Sequence, residues 1–167
     1  MVYRPWSTAS LMCVLLLLDQ GTKIWVRATI PLHRTTGFIP YLIDLTHVEN
    51  PGVSFSFLGD LADAIRVPLL VTVSLAAALL LGWYWLRHRR AMHSFMDLAF
   101  IFILPGAVGN LIDRALYGRV TDFLHFRFGS TSFFVNNLAD IFISMGVVAY
   151  ALGILLSRRS HPESEEA

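Results

Sequence analysis

Apolar residues run along this chain in four long stretches, roughly 7–27, 65–86, 95–116 and 134–156, with charges and turn residues collected between them. Each stretch is long enough to cross a hydrocarbon core of about 30 Å as a helix rising about 1.5 Å per residue. The second carries no charge between Val67 and Leu86. Neither it nor the fourth has the polar face at helical period that a buried helix of a water-soluble bundle would show. The pattern predicts an α-helical integral membrane protein with four transmembrane helices, a single domain over 1–167. Two acids bracket the short loop between the third and fourth stretches: Asp122 after the third and Asp140 just inside the fourth. An ionisable group at membrane depth is costly and reads as functional, with a partner nearby.

The segment 28–64 changes period. Residues 41–48 are rich in β-branched and aromatic side chains, and 53–57 alternate apolar and small polar ones, which is strand period. Asn50-Pro51-Gly52 between them is turn chemistry. This predicts a small β-sheet on the outer membrane surface, followed over 58–64 by a short interfacial helix. The sheet reads equally as a cap over the bundle or as a cradle for an extended peptide.

Composition agrees with the membrane reading: of 167 residues 55% are hydrophobic and 15% charged, and the mean hydropathy is +0.58. A net charge of +1 gives no footprint for nucleic acid. Arg87, Arg89 and Arg90 after the second stretch, and Arg158 and Arg159 after the fourth, place both termini in the cytoplasm and the loops 28–64 and 117–133 outside. Trp6, Trp25, Trp83, Tyr84 and Trp85 fall near the resulting interfaces. The N-terminal stretch continues through Asp19, Gln20 and Lys23 without a small-x-small cleavage site, so it reads as an uncleaved span. Cys13, the sole cysteine, reads as a small apolar packing residue. The tail 157–167 is polar, and its end, 161–167, is acidic at Glu163, Glu165 and Glu166, a composition that predicts disorder.

Inside the spans, Asp19 and Lys23 stand four residues apart on one face and can pair. Asn110, Asp113 and Arg114 follow Gly106 and Gly109 near the outer end of the third span, suited to an orienting network where helices approach closely. Asp97, near the cytoplasmic end, reaches water and is given no role. Asn137 lies three residues before Asp140 on the fourth helix. Two neighbouring carboxyls cannot both ionise, so one holds a proton while the other acts as base on water. A proton or cation pathway is the alternative use of such a pair.

Five blocks, in order, carry a family resemblance: Asp19-Gln20-Gly21-Thr22-Lys23, Asn50-Pro51-Gly52-Val53-Ser54-Phe55-Ser56, Gly106-Ala107-Val108-Gly109-Asn110-Leu111-Ile112-Asp113-Arg114, Val120-Thr121-Asp122-Phe123 and Asn136-Asn137-Leu138-Ala139-Asp140. Together they resemble the bacterial lipoprotein signal peptidases, signal peptidase II. The resemblance implies a four-span aspartic endopeptidase of the bacterial cytoplasmic membrane, monomeric and without cofactor or metal. Its substrates would be diacylglyceryl-modified prolipoproteins, cut before the lipidated cysteine, with membrane lipids as surroundings. It makes Asp122 and Asp140 the catalytic dyad, with Asp19, Lys23, Asn50, Gly52, Asn110, Asp113, Arg114, Asn137 and Ala139 shaping or supporting the site. Pro51, Val53-Ser54, Pro105 and Thr121 depart from the family's commoner residues. Pro105 suggests a kink in the third span. A transporter would spread polar residues through the membrane and often show repeat symmetry, and here the acids of spans three and four cluster at one end. The zinc motif H-E-x-x-H and a nucleophile elbow are absent from the sequence.

Overall fold

The computed structural model describes residues 5–52 and 61–159. In chain order they form α1 (Pro5–Thr29), β1 (Thr35–Ile39), β2 (Ile43–Asn50), α2 (Asp63–His88), α3 (Ser94–Tyr117), β3 (Val120–Phe128), β4 (Thr131–Asn136) and α4 (Leu138–Arg159). All four helices are long and apolar enough to span a membrane, as the hydropathy pattern required. The expected strand over 53–57 and the first part of the interfacial helix over 58–64 lie outside the described residues, as does the tail from 160. Residues 63 and 64 belong to α2.

α3 is the hub: α4, α2 and α1 all pack against it. Close approach to α4 depends on glycine. A Cβ on Gly146 would stand 2.7 Å from the Ala99 carbonyl oxygen, and one on Gly106 would stand 2.6 Å from the Ala139 carbonyl oxygen. α3 runs through Pro105 to Tyr117 as one helix. Gly118, at φ 70°, ends it, donating its N–H to the Arg114 carbonyl at 3.0 Å.

Much of the lipid-facing surface is apolar, as a bilayer demands: Leu17, Leu79, Leu80 and Leu155 are all exposed. Cys13 is exposed as well, so it faces the surroundings rather than packing inside. Asp97 is partly exposed and also accepts the Trp85 indole N–H at 2.7 Å.

Among the described residues the sheet has four antiparallel strands in the order β1-β2-β3-β4, of which the loop 28–64 supplies β1 and β2. Its other half is the hairpin β3–β4, over residues taken in the sequence as a simple outer loop and the start of the fourth span. Strand period explains the miss: Phe126 and Phe134 face each other across the hairpin, rings 5.1 Å apart, while His125 pairs with Asp44 and Arg127 with Ser132 on the opposite face. That alternation gives the sheet an apolar face and a polar one. A bulge in β2 between Leu45 and Val48 holds His47, whose Nδ1 donates to the Ile30 carbonyl at 2.8 Å and ties the sheet to the end of α1.

The glycine contact yields a stability test. Gly146→Ala places a methyl against a backbone carbonyl and an isoleucine, so α3 and α4 must separate, at a cost of about 1–3 kcal/mol. Gly82→Ala meets only the Leu104 side chain at 3.9 Å and serves as the control. Thermal unfolding in detergent should show a lowered midpoint for Gly146→Ala alone.

Candidate active site

The site starts from a lysine with no contact with solvent. Lys23 on α1 is 0% exposed, and its ammonium meets Asp19 at 3.0 Å, Asp113 at 3.1 Å and the Asn110 carboxamide oxygen at 3.0 Å. Three donors meet three acceptors, the condition for holding an ammonium out of water. Asp19 and Lys23 pair as their spacing predicts. Asp113 turns to α1 instead of to its neighbour Arg114, taking Lys23 on one side and Arg27 on the other at 3.4 Å.

Two arms leave this centre. Along the first, Asn110 accepts from Lys23 and donates through its amide nitrogen to Asp140 at 2.7 Å. The lysine thus fixes which way the carboxamide points. Along the second, Asp113 accepts the backbone N–H of Thr121 at 3.2 Å, and Arg27 donates to the Thr121 hydroxyl at 2.7 Å. This pins the start of β3, and the next residue is Asp122. Both sequence-nominated acids are therefore positioned from one buried cation.

Asn137 joins the two acids. It caps α4: its side-chain oxygen accepts the Asp140 N–H at 3.0 Å, while Asp19 accepts the Ala139 N–H at 2.9 Å, so two orphan donors of the helix start are satisfied. Its amide nitrogen donates to Asp122 at 2.6 Å. The same side chain thus anchors the helix bearing Asp140 and holds Asp122. Ala139, fully buried, sits beside Gly109 and Gly106, where a larger side chain would push α3 and α4 apart.

The turn after β2 closes the site from above. Asn50 accepts the Gly52 N–H at 3.0 Å and donates to Asp122 at 2.9 Å. Gly52, at φ 131°, is in a conformation that L side chains rarely adopt, and a Cβ there would run into Leu70. Arg114 donates to the Gly52 carbonyl at 3.3 Å and lies within electrostatic reach of Asp113, Asp122 and Asp140. It links the turn to the acids.

Asp122 is 2% exposed; Asp140 is half-buried. Burial pushes the Asp122 carboxyl up from 3.8 to about 6. The donors Asn50 and Asn137 and the charge of Lys23 hold that rise back, and the nearby charge of Asp140 adds to it. The arrangement is a shielded acid beside a more accessible one, each held by a carboxamide.

All eleven residues nominated from the sequence gather at this end of the bundle. Three participants were missed: Arg27, Thr121 as a structural partner, and Gln20, which donates to the Gly109 carbonyl at 3.1 Å and to Asp19 at 3.0 Å. Arg27 carried a signal, since Asp19, Lys23 and Arg27 recur every fourth residue on one helix face.

Comparison with known proteins meets this geometry. The profile of Signal peptidase (SPase) II matches residues 11–156. The lipoprotein signal peptidase of Maridesulfovibrio salexigens is 40% identical over 81% of this chain and 86% of its own length. That of Allorhizobium ampelinum is 37% identical over 94% and 93%, and that of Desulforapulum autotrophicum 33% over 87% and 89%. A solved structure described as a bacterial membrane enzyme superposes with a TM-score of 0.80 at 23% identity, covering 99% of this chain and 96% of that one, which shows the shared fold. With its profile matched across all four spans and the sheet, the chain belongs to the signal peptidase II family of membrane proteases.

Proposed function

We propose that this protein is an aspartic endopeptidase that removes signal peptides from diacylglyceryl-modified prolipoproteins, cutting before the lipidated cysteine, with Asp122 and Asp140 as its dyad. Family membership supports the removal of signal peptides from prolipoproteins. The observation that carries the chemistry is the bridge at Asn137, which bonds Asp122 and caps the helix turn bearing Asp140.

In this reading the pair shares one proton. Asp122, shielded and raised, keeps it and donates a hydrogen bond to the scissile carbonyl. Asp140, the more accessible acid, takes a proton from the attacking water. Its other oxygen stays fixed by Asn110, so the base does not rotate away from the reacting atoms. Collapse of the tetrahedral intermediate requires the amine to leave protonated, and the proton gained by Asp140 supplies it. Arg114 and the 50–52 turn close the site over the substrate backbone.

The orientation belongs to the same proposal. Both termini face the cytoplasm, and the sheet with the acids lies at the outer surface of the bacterial membrane, where a lipidated cysteine is held by its own anchor. Confinement to that plane replaces contacts that a soluble protease would need. The protein acts as a monomer.

Three outcomes test this reading. Asp122→Asn and Asp140→Asn should each leave a folded, inserted protein that binds lipidated prolipoprotein yet cleaves it at least about 100-fold more slowly. A gel-shift assay in detergent reads the cleavage. The double variant should lose no more than the worse single one, because the pair acts as a unit; near-normal turnover by either single variant would sink the dyad.

Activity should fall as pH rises through about 6, where Asp122 gives up its proton. Asn50→Ala removes a donor to the charged carboxylate and should move that limb to higher pH. The same sign governs stability. A carboxyl raised from 3.8 to about 6 on folding contributes stability below 3.8 that is lost as pH rises through about 6. A limb that moves down in Asn50→Ala would contradict the assignment.

Topology is read by reporter fusions. A fusion after Arg90 should report cytoplasm, and an insertion near Gly129 should report the outside. The opposite pattern would put the acids on the wrong side of the membrane.

A further inference from the structure

Asp122 hangs from a short corner. α3 ends at Tyr117 and β3 begins at Val120, so only Gly118 and Arg119 connect the helix to the strand that carries this acid. Gly118 takes the turn at φ 70° and has no side chain to brace it. The brace comes from Arg27 on α1. Its guanidinium carbon stands 4.3 Å from the centre of the Tyr117 ring, and its Nη1 donates to the Thr121 hydroxyl at 2.7 Å. One side chain therefore holds the corner on both sides of Gly118.

Shape, direction and destination give this contact a role in the site. A guanidinium is planar, so it lays a face on an aromatic ring while its edge donates in the plane; an ammonium is a point charge without such a face. Lys23 already meets one oxygen of Asp113 at 3.1 Å, and Arg27 reaches the other at 3.4 Å on its way to Thr121. Thr121 and Asp122 are neighbours on a strand, where successive side chains leave on opposite faces. A bond to the Thr121 hydroxyl thus fixes the roll of the strand about its own axis, and with it the direction of the Asp122 carboxyl. That carboxyl meets the Asn137 and Asn50 amides at 2.6 and 2.9 Å, distances that a roll of the strand would lengthen. Thr121 is buried, so bulk water does not stand in for the bond.

We infer that Arg27 is a positioning residue for the reaction, a clamp across the α3–β3 corner that aims Asp122 through Thr121. The inference rests on the proposed function and adds to it a residue that acts on Asp122 only through its neighbour. The plane and the reach of the guanidinium are both used, so charge alone does not substitute for it.

Thr121→Val tests the clamp in the full-length protein, because valine keeps the β-branch and the strand preference and lacks the hydroxyl. With lipidated prolipoprotein in detergent it should lower kcat at least about fivefold and leave KM within about twofold, since the acid is misaimed. Thr121→Ser keeps a hydroxyl and should keep kcat within about twofold. Arg27→Lys keeps the charge without the planar face and should lose kcat as Thr121→Val does. The double variant Arg27→Lys/Thr121→Val should lose no more than the worse single one. If Arg27→Lys fails to fold, the two Thr121 variants still decide.

The pH profile separates aim from packing. Longer bonds from Asn50 and Asn137 let the Asp122 carboxyl rise further, so the falling limb at about pH 6 should move up in Thr121→Val. Wild-type kcat with an unmoved limb in Thr121→Val, or additive losses in the double variant, would overturn the inference. Carbon-13 NMR of aspartate-labelled protein reads the same upward shift of Asp122 without turnover. A wild-type enzyme that cleaves no prolipoprotein would instead overturn the peptidase reading. The titration then decides the clamp alone: an Asp122 carboxyl that titrates alike in wild type and Thr121→Val rules it out.

Discussion

One ammonium group organises this molecule. Lys23 has no solvent contact, and a buried charge survives only where partners satisfy it completely. Asp19 comes from its own helix, Asn110 and Asp113 from α3, and each of these passes the constraint on: Asp19 to the start of α4, Asn110 to Asp140, Asp113 to the start of β3. Removing one partner of such a group leaves an uncompensated charge, typically at a loss of about 3–5 kcal/mol. A well-packed apolar replacement of the whole set would often be no less stable. What the ions supply here is direction, because a carboxamide between a cation and a carboxylate has one sensible orientation, and apolar packing has no such preference.

The sheet solves a problem that helices alone leave open. A carboxyl beyond the end of a helix needs a rigid backbone to hold it, and rigid backbone must satisfy its own hydrogen bonds. A paired strand does so: β3 pairs with β2 at Asp122, opposite Val48, and with β4 from Leu124 onward. The helix supplies the second acid in the complementary way, on its first turn, where the N-terminal partial charge favours a carboxylate. One acid on a strand and one on a helix start can approach from different directions, with Asn137 set between them. Two acids on one helix could not be adjusted independently.

Much of this was legible in the sequence, for reasons that particular residues make plain. The spans were visible because hydrocarbon imposes a length and a composition on them, and α2 obeys both with no charge from Val67 to Leu86. The polar candidates on the helices were visible because ionisable groups inside such spans need a reason. The hairpin β3–β4 was not. Its apolar face, Leu124, Phe126 and Phe134, runs directly into the fourth helix, and hydropathy does not separate an apolar strand from the helix that follows it. Nor was the pairing of Asp113. Its neighbour Arg114 offered a local partner at lower sequence separation, whereas Lys23 and Arg27 lie 90 and 86 residues away along the chain, and only packing of α1 on α3 brings them near.

The placement of small residues follows from the same demand for close approach. Gly109 faces Asp19 at a point where any side chain would strike the carboxylate, so the acid reaches the Ala139 N–H only because α3 presents bare backbone there. Gly106 and Ala139 then let α4 settle against α3 at the depth that brings Asp140 within 2.7 Å of Asn110. The distances in the polar network are thus set by the absence of side chains as much as by the charges. A substitution that adds volume at Gly109 would act on Asp140 without touching it, by tilting the helix start on which that carboxyl stands. Position in this site is therefore a property of the packing between α1, α3 and α4, and the polar bonds lock a geometry that the glycines first permit.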